Sequence, residues 1–433
     1  MDVLMIGNGF DLHYCLPTTY TCFLRTVESI SKRLEKGETI TTVAQVFSDP
    51  ALYKSDGAMK RCYDTYGTDY DAELDPDQIS KLFGRAEQNL WFTYLLRSFD
   101  AGKGWIDFER EIGRAIRTLA SALNTVEVGN NTKSIYLRLL NDDRYAAFIC
   151  SHFSFFFSLA DYRRSTHHGK DCFAYPILQE YIVEEPFASK RYIVNRDAIV
   201  SKLFQELREL ADMLAWYLKL FVDRPVENLM NAGEIQRDDS LVKWPWADTK
   251  VVSFNYTSTL ACLYDSADSI SFVHGFLGSS DESNIVLGID SDESDELDHL
   301  DVSFVQFKKY YQRVFFQTDT SYLSLIDKID QNNGLLHPNP VELYVIGHSL
   351  DITDQEVIRD LFTRSTKITI FYHSNTAVAD YIRNLITIFG KKRFDLLRAK
   401  KGLKFKSLAS LNGLRMQISK GISQMKIGEV QEL

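Results

Sequence analysis

Cysteine is scarce in this chain and is never arranged for a metal. The six copies, Cys15, Cys22, Cys62, Cys150, Cys172 and Cys262, include no Cys-x-x-Cys pair and no His at zinc-finger spacing. They read as buried or free thiols of a reducing, cytoplasmic compartment. Long apolar runs are missing too. The most apolar stretch, 145–160, is interrupted by Ser151, His152, Ser154 and Ser158 and is shorter than a bilayer requires, so a buried segment and no membrane partner are expected. Met1 is followed almost at once by strand residues without a basic leader, and no cleavable signal peptide is expected. Positive charge is in deficit, with 49 Lys and Arg against 59 Asp and Glu and a formal net charge of −10. A nonspecific nucleic-acid binder needs clustered bases to displace counterions from phosphates, so nucleic acid is an unexpected partner; a local basic groove stays open. No internal repeat is evident.

What is there suits a sizeable globular fold. With 433 residues, 45% of them hydrophobic, the chain has room for about two or three domains, or one large domain with an insertion. Residues 1 to 30 read as strand, tight loop and helix. Ile79 to Phe99 and Ile199 to Val222 repeat apolar residues at helical spacing, and the pattern from 80 to 245 is largely helical. After Trp244-Pro245-Trp246 the texture changes to short β-rich runs at Lys250–Phe254, Ile270–Val273, Ile285–Leu287, Val341–Ile346 and Lys367–Tyr372. Helices are expected between them at Ser258–Tyr264, Asp354–Thr363 and Thr376–Phe389. Strand–helix alternation implies a parallel sheet. The expected architecture is therefore α/β: a Rossmann-like parallel sheet built from 1–45 and 246–433, with a helical domain, 46–245, inserted after the first strand.

Four loops at the ends of apolar runs carry the chemistry. The first is Gly7-Asn8-Gly9-Phe10-Asp11, a strand end in Gly-x-Gly that starts a helix; such turns bring backbone N–H groups up to a phosphate, although the third glycine of the dinucleotide fingerprint is missing. The others are Ser253-Phe254-Asn255-Tyr256-Thr257, Val273-His274-Gly275 and Ile346-Gly347-His348-Ser349-Leu350. A histidine can take a proton at neutral pH, and an asparagine amide can orient a water or a ribose hydroxyl without carrying charge. That makes His274 and Asn255 the candidate catalytic pair, with His348, Ser349, Asp351 and Asp354 able to bind a ribose. Their structural alternatives are a core histidine holding a turn, and an asparagine bonding its own backbone.

The set GNGFDL, LPT.Y..FL, SFNYT, HG and GHSL..D resembles the abortive infection AbiH family of bacterial anti-phage proteins. The same order of motifs is more distantly similar to the sirtuin-like NAD-binding fold. That resemblance implies Asn255 and His274 as catalytic residues. It implies NAD contacts at Gly7, Asn8 and Gly9 of the phosphate loop and at Gly347, Ser349 and Leu350 beside the adenosine half; Phe10, Asp11 and Thr18 of the first segment and His348 and Asp354 of the last complete the candidate NAD-binding set. The four-cysteine zinc module of sirtuins is absent, which argues against a protein deacylase and for no metal. Phe10 and Asp11 stand where the sirtuin-like loop has small residues, and a carboxylate beside a phosphate is repulsive unless it caps a helix, binds a hydroxyl or meets a metal.

Three functional readings follow. The first is an abortive infection effector that hydrolyses NAD, as substrate, at the nicotinamide–ribose bond, kept silent by a homo-oligomer or a phage-sensing partner. The second is a nucleotide-binding switch without turnover. The third is a metal-dependent nuclease or nucleotide phosphohydrolase using Asp11, Asp107 and Glu109 of the segment Trp105-x-Asp107-x-Glu109. Two further segments have plain explanations. The acidic run at Asp290, Asp292, Asp295 and Asp298 lacks the glycine and terminal glutamate of a calcium loop and reads as solvated. Phe304-x-x-Phe307-Lys308-Lys309-Tyr310-Tyr311-x-x-Arg313 mixes bases with aromatics as a single-strand binder does, or as a helix snorkelling lysines over a packed face does.

Overall fold

A computed structural model describes residues 2–48, 52, 60, 72–101, 107–128, 134–140, 144–167, 170–185, 191–233, 237, 241, 244–264, 270–276, 278, 283–289, 302–318, 321–334 and 340–408. The strands among them are, in chain order, β1 (Asp2–Ile6), β2 (Val126–Val128), β3 (Ile135–Leu140), β4 (Arg163–His167), β5 (Lys170–Pro176), β6 (Ile182–Glu184), β7 (Tyr192–Val194), β8 (Thr249–Ser253), β9 (Ile270–Phe272), β10 (Glu342–Ile346), β11 (Lys367–Tyr372) and β12 (Lys404–Ser407).

Six strands form one parallel sheet in the order β12-β11-β10-β1-β8-β9. Counted by their own sequence along the chain, the order is 6-5-4-1-2-3, so the direction of strand addition reverses between β1 and β10. In open α/β sheets ligands sit beyond the carboxyl ends of the strands at such a reversal. Val3 to Ile6 are apolar without interruption and wholly buried, as a central parallel strand covered on both faces must be. Ile6 lies beside Ile346 of β10 and Ser253 of β8, and Ser253 beside Phe272 of β9. Because these strands end level, the segments that follow them at Gly7, Phe254, Val273 and Gly347 leave the sheet along one edge. Helices Ser321–Asn333, Gln355–Arg364 and Asn375–Lys401 supply Leu325, Ile329, Val357, Leu361 and Leu385 to the core that covers the sheet. Each such side chain contributes roughly 1.5–3 kcal/mol by leaving water.

The chain divides into two compact units. One comprises Met1–Lys81, Leu214–Ile285 and Gln317–Leu433 and holds the parallel sheet; the other comprises Leu82–Met213 and Val286–Phe316. Segments 46–81 and 214–245 thus share a unit with the sheet, whereas the sequence pattern groups them with the insertion. The second unit is also less helical than its periodicity suggests, since β2, β3, β5 and β4 form an antiparallel sheet and β6 pairs with β7. The period is two in β3, where Ile135, Leu137 and Leu139 are buried and Tyr136 and Arg138 are half-buried.

Three expected elements differ in detail. The helix over Ile79–Phe99 is two helices, Pro76–Phe83 and Leu90–Ala101, because Asn89 Oδ1 caps the second by accepting from Phe92 N–H at 2.9 Å. Ile285 to Leu287 are buried and pair with no strand among the described residues; instead the Gln312 amide bonds both the N–H and the carbonyl of Leu287, at 3.0 and 2.9 Å. The edge strand β12 escapes the sequence pattern because Lys404 and Lys406 alternate with one aromatic residue rather than with a run of β-branched ones. Among the described residues no helix is long and apolar enough to cross a membrane. The described cysteines are free thiols, and Cys62 lies outside the described residues.

Candidate functional site

The loops after β1 and β10 are pressed together, and that contact accounts for their glycines. A Cβ on Gly7 would stand 2.7 Å from the Cα of His348, and one on Gly9 2.8 Å from the Cα of Gly347. Gly347 has φ +68, and a Cβ there would meet Phe10 N at 2.2 Å. The loop N–H groups are also engaged: Gly7 donates to Ile346 O, Gly9 to Gly347 O and Phe10 to Gly7 O, at 3.2, 2.7 and 2.8 Å. The sequence reading opens these glycines toward a phosphate; the structure uses them first for backbone-to-backbone contact. Asn8 is the exposed member of the loop, and its amide oxygen accepts from the Thr18 hydroxyl.

Phe10 and Asp11 both turn inward from the short helix Gly9–His13. The Phe10 ring is buried against Tyr14, centroids 5.3 Å apart, so it does not crowd the loop mouth. Asp11 is 1% exposed and accepts from the Thr257 hydroxyl at 2.6 Å, which is the hydroxyl-binding role that makes a carboxylate at this position tolerable. Asn255, two residues before Thr257, is buried with neither amide atom in a well-formed hydrogen bond, and the same holds for Asp11 Oδ1 and the Thr259 hydroxyl, although Asn255 and Thr259 lie close enough to Asp11 to lower its pKa. A buried amide without partners costs about 1–3 kcal/mol and calls for an explanation. Asp223, the last residue of the π-turn Lys219–Asp223, joins this group and accepts from Ser258 N–H at 3.0 Å.

Burial pushes the Asp11 carboxyl up to about 7; the Thr257 bond opposes the shift, Asp223 adds to it, and weaker hydrogen bonding from Thr259 and Asn255 tempers it. Burial likewise raises Asp223 to about 7, against the Ser258 hydrogen bonds. Protonation of one carboxyl relieves the other, so the two titrate as a pair. Between pH ~4 and ~7 the unfolded chain has released protons that the folded protein keeps, so stability is greatest below that window and falls as pH rises through it. Asp11→Asn is expected to remove part of that slope and stabilise the protein at about pH 8 by on the order of 2 kcal/mol, read as the thermal midpoint at about pH 5 and 8.

The second cluster joins the loops after β9 and β10. His274 Nε2 lies 2.9 Å from Asp354 Oδ1, and His348 Nε2 lies 3.4 Å from Asp354 Oδ2. His348 Nδ1 accepts from Leu350 N–H at 2.8 Å, so the neutral ring carries its proton on Nε2, facing the carboxylate. On His274 the carboxylate accepts at Nε2, which puts the proton of the neutral ring there and makes Nδ1 its basic nitrogen. The Phe254 ring packs edge-on against both imidazoles, with centroids 4.3 Å from His348 and 5.4 Å from His274. Leu350 is buried yet held at φ +56, a left-handed conformation that costs a leucine roughly 1–2 kcal/mol and aims its N–H at His348. Asp354 stands at the N-cap of helix Gln355–Arg364 but makes no side-chain cap there; its carboxylate turns to the histidines. Ser349 is exposed and its carbonyl accepts from Asn384.

The structure therefore brings Gly7 against His348, and His348, Asp354 and His274 to one another. Asn255 gathers instead with Asp11, Thr257 and Thr259 on the adjoining loop. His274 is 4% and Asn255 5% exposed, so both are shielded in this conformation. Sequence reasoning did not pair Asp354 with His274, 80 residues away, nor include Asp223 or Thr257 among the site residues. Thr257 lies inside the SFNYT motif and was findable there; Asp223 has no local signal, since only the fold carries its helix to the β8 loop.

The other candidates have structural employment. Asp107 caps helix Phe108–Leu123 by accepting from Arg110 N–H at 3.1 Å, and Glu109 pairs with the buried Lys309 at 2.8 Å. In 304–313 Phe304, Phe307, Lys309 and Arg313 are buried in a packed face, while Tyr310 is exposed. Trp105 and the acidic run Asp290, Asp292, Asp295 and Asp298 lie outside the described residues. Among the described residues no group of three or more His, Cys, Asp or Glu side chains is placed to hold a metal ion.

Compared with known families, residues 3–373 match the model described as bacteriophage abortive infection AbiH. No curated protein and no solved structure matches the chain.

Proposed function

Because the chain belongs to the AbiH family of bacteriophage abortive infection proteins, we propose that it is an abortive infection effector that hydrolyses NAD at the nicotinamide–ribose bond in the cytoplasm. The observation that carries the reading is the buried Asn255 amide, with no well-formed hydrogen bond on either atom, on the loop that follows β8. An amide of this kind suits a ribose hydroxyl or a water. The strand order supports a Rossmann-like, doubly wound sheet, with its reversal beside the loops that begin at Gly7 and Gly347.

In this reading the bond between ribose C1′ and the nicotinamide nitrogen breaks, its electron pair leaving with neutral nicotinamide. Water adds to C1′ of the resulting oxocarbenium-like centre, and its proton passes to His274 Nδ1 and on to solvent. Asp354 orients His274, and Asn255 aligns the water or a ribose hydroxyl. Asn8, Thr18 and Ser349, at the rim, meet the pyrophosphate and adenosine. Gly7, Gly9 and Gly347 let the two loops approach, and Leu350 and His348 hold Asp354 in register; Phe10 and Asp11 shape the first loop from beneath. Because Asn255 and His274 are shielded, the loops must part before substrate enters. That supports an activity kept silent until a second copy or a phage-sensing partner opens it. The same shielding favours one rival, a nucleotide-binding switch without turnover.

The test is chromatography of the purified full chain with NAD. Nicotinamide and ADP-ribose appearing in equal amounts support the reading, and Asn255→Ala is expected to slow their release at least about tenfold. NAD retained without product, both alone and after addition of an extract of phage-infected cells to release the shielded loops, would establish the switch instead; neither binding nor product in either condition would end both readings.

A further inference from the structure

A concentrated positive charge lies beyond the matched family region, which ends at residue 373. Residues 391–406 hold eight Lys and Arg against one acid, Asp395, in a chain whose formal net charge is −10. The rest of the chain is correspondingly more acidic, so this surface runs against the charge of the whole.

The fold displays these bases rather than using them. They sit on the second half of helix Asn375–Lys401, past the break at Gly390, and on the edge strand β12. Phe394 and Leu397 anchor that half-helix in the core, and Leu403 and Phe405 anchor the strand. Lys401 alone turns back, donating to the carbonyls of Thr363 and Ser365. Lys391, Lys392, Arg393, Arg398, Lys404 and Lys406 are exposed, and among the described residues none of them is held in an ion pair. Along the half-helix like charges sit within about three turns of one another and repel, and Lys404 and Lys406, alternating with the core-facing Phe405, add charge on the other side of the edge strand.

We propose that this surface binds the phosphate backbone of double-stranded nucleic acid without reading its sequence. The charge is complementary and the rest of the geometry narrows the choice of polyanion. A single-strand binder stacks bases on outward aromatics, and here Phe394 and Phe405 face the core. A helix lying on a membrane needs an apolar outer face, and Leu396 is the one large apolar side chain exposed among 391–401. From 391 to 400 the helix extends about 14 Å at 1.5 Å per residue, enough to face about four phosphates of one strand.

The experiment titrates the full chain, without NAD, into a fluorescent DNA duplex of about 30 base pairs in about 50 to 200 mM salt. Four phosphate contacts give a log–log salt slope near −4 and a weakening of roughly 200-fold across that range. The quadruple variant Lys392→Glu, Arg393→Glu, Arg398→Glu, Lys404→Glu changes only exposed positions; it is expected to bind at least about tenfold more weakly while its circular dichroism stays that of the parent. Absence of binding at the lowest salt, equal binding by the variant, or binding only to single strands or phosphatidylserine vesicles would overturn the proposal. None of these outcomes bears on NAD turnover.

Discussion

Gly347→Ala abolishes cooperative folding or lowers stability by about 3–5 kcal/mol, the largest structural effect expected of any one-methyl change in the loops. The added Cβ would lie 2.2 Å from Phe10 N and 2.5 Å from Gly9 C, against backbone that cannot rotate away, at a φ of +68 that an L side chain resists. Relief would require the loops after β1 and β10 to separate. That would break the bond from Gly9 N–H to Gly347 O and pull His348 from Asp354. Gly402→Ala is the control: its φ is +55 in the left-handed region, but no atom lies within 4 Å of the added Cβ, so only the backbone strain of about 1–2 kcal/mol remains. Thermal midpoints of the two variants should differ widely. Near-equal midpoints would show that the loops are not in the contact described.

Asp354→Asn is expected to reduce nicotinamide release by about 10²–10⁴-fold with little change in midpoint. One carboxylate now faces two imidazoles, bonding His274 at 2.9 Å and standing 3.4 Å from His348. An amide accepts through one atom and donates through the other. His348 is committed, because Leu350 N–H occupies its Nδ1 and leaves the proton on Nε2, so the amide oxygen must face His348. The amide NH₂ then faces His274 Nε2 and drives the His274 proton onto Nδ1, the nitrogen needed as base. Activity within tenfold of the parent would remove His274 from the role of base, even if NAD hydrolysis itself stood. The paired measurement of release rate and midpoint separates a wrong tautomer from a damaged fold.

Local pattern made much of this legible. Apolar runs ending in Gly7, Asn255, His274 and Gly347 marked strand ends, because a buried parallel strand must be apolar on both faces and its exit must turn. The N-caps Thr19, Asp107 and Ser374 accept from backbone N–H groups as their residue types suggest. What the pattern could not carry were partnerships across the chain. Thr257 with Asp11, Ser258 with Asp223 and Asp354 with His274 join residues far apart in sequence, and no local period encodes them. The antiparallel strands of the second unit were hidden for another reason: each is short, and neighbouring helices dominate the periodicity.

By itself the amino-acid order determined that this chain builds a parallel α/β sheet, where its strands end, and which family it joins, since these depend on residue type and spacing. Tertiary structure alone decided the uses of the residues. It turned Asp11 inward to a hydroxyl, set the glycines to backbone contact, gave one carboxylate to two histidines and left the Asn255 amide without a well-formed hydrogen bond. The physical reason is burial: a side chain's protonation state and hydrogen-bond demand are set by the groups packed around it, and those come from distant segments that only the folded sheet brings together.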